Sequence, residues 1–143
     1  MEYKKIDGKI VFRLEMGEAL MESTQKIAAL ENVKLASISG IGACDKIEIG
    51  YFDLSKKEYV FKTFSGNMEI LQSTGNITLK DGKPFPHIHI SVANEECKSF
   101  GGHLNEATIS ATFEGVMTIM DHEIHREFNE DLGLALMNVC GIK

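Results

Sequence analysis

In Phe85-Pro86-His87-Ile88-His89-Ile90-Ser91-Val92-Ala93, apolar residues alternate with histidine and serine. On a β-strand, side chains two apart point to the same face. A strand here turns Ile88, Ile90 and Val92 toward a core and leaves His87, His89 and Ser91 together on the other face. A short distance on, Gly101-Gly102-His103-Leu104 supplies a third histidine. The glycine pair gives a loop enough freedom to turn that ring toward the first two. Three neutral imidazoles with an open fourth position suit a divalent transition metal, zinc foremost. His87, His89 and His103 are the candidate metal ligands.

Outward from this segment the chain reads as mostly strand. Asp81-Gly82 is a strong turn signal just before the histidine strand. Upstream, Asn67–Ser73 and Asn76–Leu79 form short strands around Thr74-Gly75. Tyr59, Phe61 and Thr63 alternate with their neighbours, as do Ile47, Ile49 and Tyr51, and Val33–Ser39 leads into Gly40-Ile41-Gly42. That glycine pair lacks the third glycine and following helix of a nucleotide loop and reads as a tight turn or bulge. Val11–Met16 is the first predicted strand. Glu18–Glu31 carries Leu20, Ile27, Ala28 and Leu30 at helical spacing, with acids near its start and Asn32 at its end. Downstream, Ala107–Phe113, Val116–Phe128 and Leu134–Val139 complete the pattern. The expected fold class is α+β: a largely antiparallel sheet of seven or eight strands with one early helix.

Composition narrows the choices further. The chain has 143 residues, 43% of them hydrophobic, and no linker-like or low-complexity tract. One domain over residues 1–143 with a real core is expected. Its apolar runs are too short for a membrane span, and no secretory signal is evident at the start. Cys44, Cys97 and Cys140 are few, odd in number and widely spaced, which points to a reducing cytoplasm rather than a disulfide framework. Cys44 and Cys140 read as packing residues and Cys97 as a loop cysteine. The net charge of −6 and the absence of a Lys/Arg cluster weigh against unaided binding to a phosphate backbone.

The ordered motifs resemble the plants-and-prokaryotes-conserved (PPC) domain family, the domain also found in plant AT-hook nuclear-localised proteins. They are Gly40-Ile41-Gly42-Ala43, Gly50-Tyr51-Phe52-Asp53, Met68-Glu69-Ile70-Leu71, Gly75-Asn76-Ile77, Asp81-Gly82-Lys83-Pro84, His87-Ile88-His89, Gly101-Gly102-His103-Leu104 and Phe113-Glu114. They cover Val11 to Phe128, and the chain is similar to a stand-alone prokaryotic member. The resemblance implies an antiparallel α+β fold, a homotrimer, and a metal site made by the three histidines near a subunit boundary. In the plant proteins a separate AT-hook contacts DNA, and its Arg-Gly-Arg-Pro core is missing here. The plant partner motif Gly-Arg-Phe-Glu-Ile-Leu corresponds to Gly66-Asn67-Met68-Glu69-Ile70-Leu71, without the Arg and the Phe.

The remaining chemistry-bearing residues have plainer readings. His122 and His125, three apart on an extended strand, fall on opposite faces and read as solvated. Glu69 and Glu114 sit among apolar strand residues, either as edge carboxylates or as a general base or partner to a metal-bound histidine. The expected function is a homotrimeric, metal-binding module associated with DNA or with a regulatory protein partner. The alternative is a small metal-dependent enzyme that acidifies water at the open coordination position.

Overall fold

Lys9–Glu15 buries every second residue, Ile10, Phe12 and Leu14, and exposes those between. This strand is the second of eight among the residues that the computed structural model describes, 1–139. The elements run β1 (Glu2–Ile6), β2 (Lys9–Glu15), α1 (Leu20–Leu30), β3 (Ala36–Asp53), β4 (Glu58–Lys80), β5 (Lys83–Asn94), β6 (Ser99–Ile119), β7 (Arg126–Asn129) and β8 (Leu134–Met137). The main sheet has the order β1-β2-β6-β3-β4-β5, and every named pairing in it is antiparallel. β6 pairs with β5 as well as with β3, so β3, β4, β5 and β6 close into a ring. The α+β class and the antiparallel sheet are as expected from the sequence.

The inward faces of the strands and one face of α1 make a single core. Ile38, Ile47, Ile77, Ile88, Leu104, Ile109, Phe113 and Met117 meet Leu20, Ile27 and Ala28 of the helix there. Ala19 offers no side-chain cap at the start of α1. Glu106, on β6, does that work from across the fold: its carboxylate accepts the backbone N–H groups of Met21 (2.7 Å) and Glu22 (3.2 Å). An anion at a helix N-terminus also meets the favourable end of the helix dipole. The far end stops at Asn32, whose φ of 52° is left-handed.

Several boundaries differ from the sequence reading, each for a physical reason. β1 was not anticipated: all five of its residues are exposed, and it is held by a hairpin whose Asp7 and Gly8 have φ of 46° and 76°. The helix begins at Leu20 rather than Glu18, whose N–H turns back to the Glu15 carbonyl. β3 and β4 are continuous where short pieces were expected. Gly40-Ile41-Gly42 is a bulge inside β3, and Thr74-Gly75 lies inside β4. Gly75 marks a close approach: a Cβ there would sit 2.0 Å from the His87 carbonyl oxygen. Val116–Phe128 is not one strand. β6 stops at Ile119, the chain turns so that Ile124 is buried, and β7 begins at Arg126. β8 pairs with β7 over Leu134–Met137, shorter than Leu134–Val139. Cys140 lies outside the described residues.

Replacing Glu106 with Ala leaves two helix N–H groups without their acceptor. Stability in urea should fall by about 1 kcal/mol, with the near-native spectrum retained; an unchanged midpoint would mean that water caps α1 equally well.

Candidate metal centre

His87 and His89 stand on the face of β5 opposite the core, as Ile88, Ile90 and Val92 fill it. His103 is not on a loop. It lies within β6, directly opposite His89 in the antiparallel ladder and opposite Gly50 of β3 on its other side. The actual loop is Glu95–Lys98, closed by the Asn94 side chain, which accepts the N–H groups of Glu96 and Lys98. Gly101-Gly102 serve strand packing instead of loop freedom. A Cβ at Gly101 would lie 2.3 Å from the Ile90 carbonyl oxygen, so only glycine lets β6 come this close to β5.

The three rings converge. Their centroids are 5.2 Å (His87–His89), 5.0 Å (His87–His103) and 5.5 Å (His89–His103) apart. One nitrogen from each lies within 4.8 Å of the others, so the trio could hold a metal ion. Nδ1 of His103 is buried and has no hydrogen-bond partner among the described residues. An unpaired buried polar atom costs about 1–3 kcal/mol, and a cation that takes up its lone pair would remove that cost. The donor set therefore fits a transition metal that favours imidazole nitrogen.

Electrostatics keep two of the rings neutral. Burial, then the Arg126 cation and His89, push His87 down to about 4. Burial, with His87, His89 and Arg126, does the same to His103, also to about 4. A neutral imidazole presents the lone pair that a metal needs. Aromatic rings wall the site: Tyr59 stacks on His103 at 4.4 Å and on Phe61 at 5.4 Å. Burial raises the Tyr59 phenol, and Arg126 partly offsets that.

Arg126 was not singled out from the sequence, because its partners are 9 to 50 residues away. Its Nε donates to Thr78 Oγ1 (2.8 Å), its Nη1 to the Ala135 carbonyl (3.0 Å), and its Nη2 to Asn76 Oδ1 (3.0 Å). Nη2 also stands 3.4 Å from His87 Nδ1. The β7–β8 hairpin thus brings a cation to the edge of the histidine cluster.

The other candidates lie apart from it. His122 and His125 are exposed, on a turn and a short bridge rather than on one strand. His125 Nε2 meets Glu123 at 3.1 Å. Glu69 is exposed opposite Ala43 and Ala93, about 16 Å along β4 from the residue facing His89 at strand rise. Glu114 is exposed between Arg13 and Ile41. Neither carboxylate joins the imidazoles. Cys44 is buried, its thiol pushed up to about 11 chiefly by burial, and Cys97 is exposed on the loop.

Three imidazoles thus converge on the face of β5 and β6 that lies opposite the core. Residues 1–122 match the Plants and Prokaryotes Conserved (PCC) domain, and the chain belongs to that family. Three solved structures are similar over 96% of this chain. A candidate DNA-binding protein from Bacteroides thetaiotaomicron is 30% identical with a TM-score of 0.92, over 96% of its own length. A metal-containing protein from Archaeoglobus fulgidus is 33% identical with a TM-score of 0.85, over 99% of its length. A plant- and prokaryote-conserved protein from Pyrococcus horikoshii is 34% identical with a TM-score of 0.85, over 93% of its length. No curated protein matches. Among the described residues, no helix is long and apolar enough to cross a membrane.

In the metal-free protein, imidazole NMR should show His87 and His103 titrating near 4, well below the ordinary 6.5. Between those values the unfolded chain binds protons that the native rings refuse, so metal-free stability falls as pH drops through this window. Midpoints near 6.5 for both would mean the rings are solvated.

Proposed function

We propose that this is a homotrimeric PPC-domain module, a single domain over residues 1–143, that holds one divalent transition metal, most simply zinc, on His87, His89 and His103. It acts in the cytoplasm as a DNA-associated or regulatory partner-binding protein. The observation that carries the metal reading is the convergence of three imidazoles, one of them with a buried and unpartnered nitrogen. The metal would supply Lewis acidity and an open coordination position. The chain supplies neutral donors, the aromatic wall of Tyr59 and Phe61, and the nearby Arg126 cation. The Archaeoglobus relative described as metal-containing supports this reading.

Association with DNA is supported by the relatives from Bacteroides and from Ralstonia, both described as candidate DNA-binding proteins. The net charge of −6 and the missing AT-hook favour contact through a DNA-bound partner over direct contact with phosphates. Self-association has a suitable surface. A groove of about 670 Å³ across β1, β2, β3 and β6 exposes Tyr3, Ile6, Val11 and Ile41, with Arg13 and Glu114 among its lining. Apolar residues grouped on an outer sheet face are what a subunit contact buries.

Metal analysis of untagged protein purified without chelator should give about one transition metal per chain, lost in His87→Ala/His89→Ala/His103→Ala. No metal in either protein after reconstitution would end the metal reading. Light scattering should return the mass of three 15.9-kDa chains. Val11→Glu with Ile41→Glu should release folded monomers; a wild-type monomer would remove the trimer. Gel shifts at about 0.15 M salt should detect no tight complex with duplex DNA alone, and pull-down should recover a DNA-bound partner.

A further inference from the structure

Among the described residues, Arg126 is a half-buried cation without a counter-charge. Its guanidinium lies over the Phe85 ring at 5.1 Å and donates only to neutral groups: the Thr78 hydroxyl, the Ala135 carbonyl, the Asn76 amide oxygen and His87 Nδ1. Among the described residues no carboxylate stands within ion-pair distance of it. Removing a charge from water is costly unless an opposite charge accompanies it.

The contact with His87 makes the position more pointed. A neutral imidazole has one N–H and one lone pair. For His87 Nδ1 to accept from Arg126, the lone pair must be on Nδ1 and the proton on Nε2. Metal binding through Nδ1 uses that same lone pair. Metal binding through Nε2 moves the proton to Nδ1, which then faces a donor. In either case the hydrogen bond, already the longest of the four at 3.4 Å, is lost when His87 holds a metal. Arg126 is left with that N–H unpaired, and a second N–H on Nη1 is uncommitted. Three neutral imidazoles would do nothing to offset a divalent cation, so a bound metal would add positive charge to that of Arg126 on either side of His87.

We infer that the metal site and Arg126 together form a binding site for a small oxyanion, a carboxylate or a phosphate group. The metal that His87, His89 and His103 would hold would supply one charge partner for the anion, and the freed Arg126 guanidinium N–H would donate to one of its oxygens. The inference rests on the metal reading above and deepens it by naming the ligand class. Carboxylate and phosphate each present more than one acceptor oxygen, so one can face the metal while another takes a charge-assisted hydrogen bond from the guanidinium. The Tyr59 and Phe61 rings beside His103 restrict water there, and charges interact more strongly where water is restricted. Thr78, Ala135 and Asn76 hold the guanidinium in place throughout, so the ligand meets a positioned donor.

The test uses cobalt(II) as the bound metal, whose visible absorption reports its ligands, with acetate and inorganic phosphate as separate probes. Wild-type protein should show a saturable spectral change with at least one of the two. The better-bound anion identifies the ligand as carboxylate or phosphoryl in kind. Arg126→Gln should hold cobalt at the same stoichiometry and bind the anion about tenfold more weakly or worse, with Arg126→Lys between them. Metal-free wild type should bind neither anion. A second readout needs no variant: in zinc-loaded wild type, the Arg126 guanidinium NMR signals should shift on anion addition. Equal anion affinity in wild type and Arg126→Gln, or unmoved guanidinium signals, would overturn the oxyanion site while leaving the metal reading intact. Failure of wild type to bind cobalt would overturn both.

Discussion

The double pairing of β6 is the constraint on which the rest of the molecule depends. At His103 the strand hydrogen-bonds toward Gly50 of β3 on one side and His89 of β5 on the other. Without the second pairing, β5 would be a free sheet edge and His103 would have no fixed relation to His87 and His89. Backbone must come unusually close to backbone to make it. Gly101 against Ile90 and Gly75 against His87 are where a side chain would forbid that approach. The core and the histidine cluster are then two faces of the same strands, with Ile88 and Ile90 inside and His87 and His89 outside.

The cluster is an arrangement of groups that each lack something. Among the described residues, His103 Nδ1 lacks a partner and Arg126 lacks an anion, while His87 is held neutral beside a cation. A site satisfied by its own protein would not combine these features, because each carries an energetic penalty in low-dielectric surroundings. They are compatible with one another if the missing members are a cation among the imidazoles and an anion beside the guanidinium.

What could be read in the sequence was what local geometry dictates. Period-two alternation identified β2 and β5 and put the histidines on one face. Asp81-Gly82 marked its hairpin because both residues take positive φ, 52° and 73°. Asn32 marked the end of α1 for the same reason. The misreadings share a different cause. Gly75 and Gly101-Gly102 looked like breaks or hinges because glycine is ambiguous between conformational freedom and close approach, and only the neighbouring strand decides which. β1 has no buried residue and so no alternation to detect. Arg126 and Tyr59 enter the site through tertiary contacts that no local pattern encodes.

The order in which these parts can meet during folding also follows from their positions. The three imidazoles all belong to one hairpin, β5–β6, where His89 finds His103 across a short loop. Closing a small loop loses little chain entropy and is fast. Arg126 must return across 39 residues to reach His87, and β3 must find β6 over more than fifty residues at Gly50 and His103. Such distant pairings form slowly. The donor trio is thus the locally encoded part of the site, while its cationic rim comes from β7, outside the ring. The three imidazoles are within one another's reach through a single hairpin, before the more distant pairings are needed.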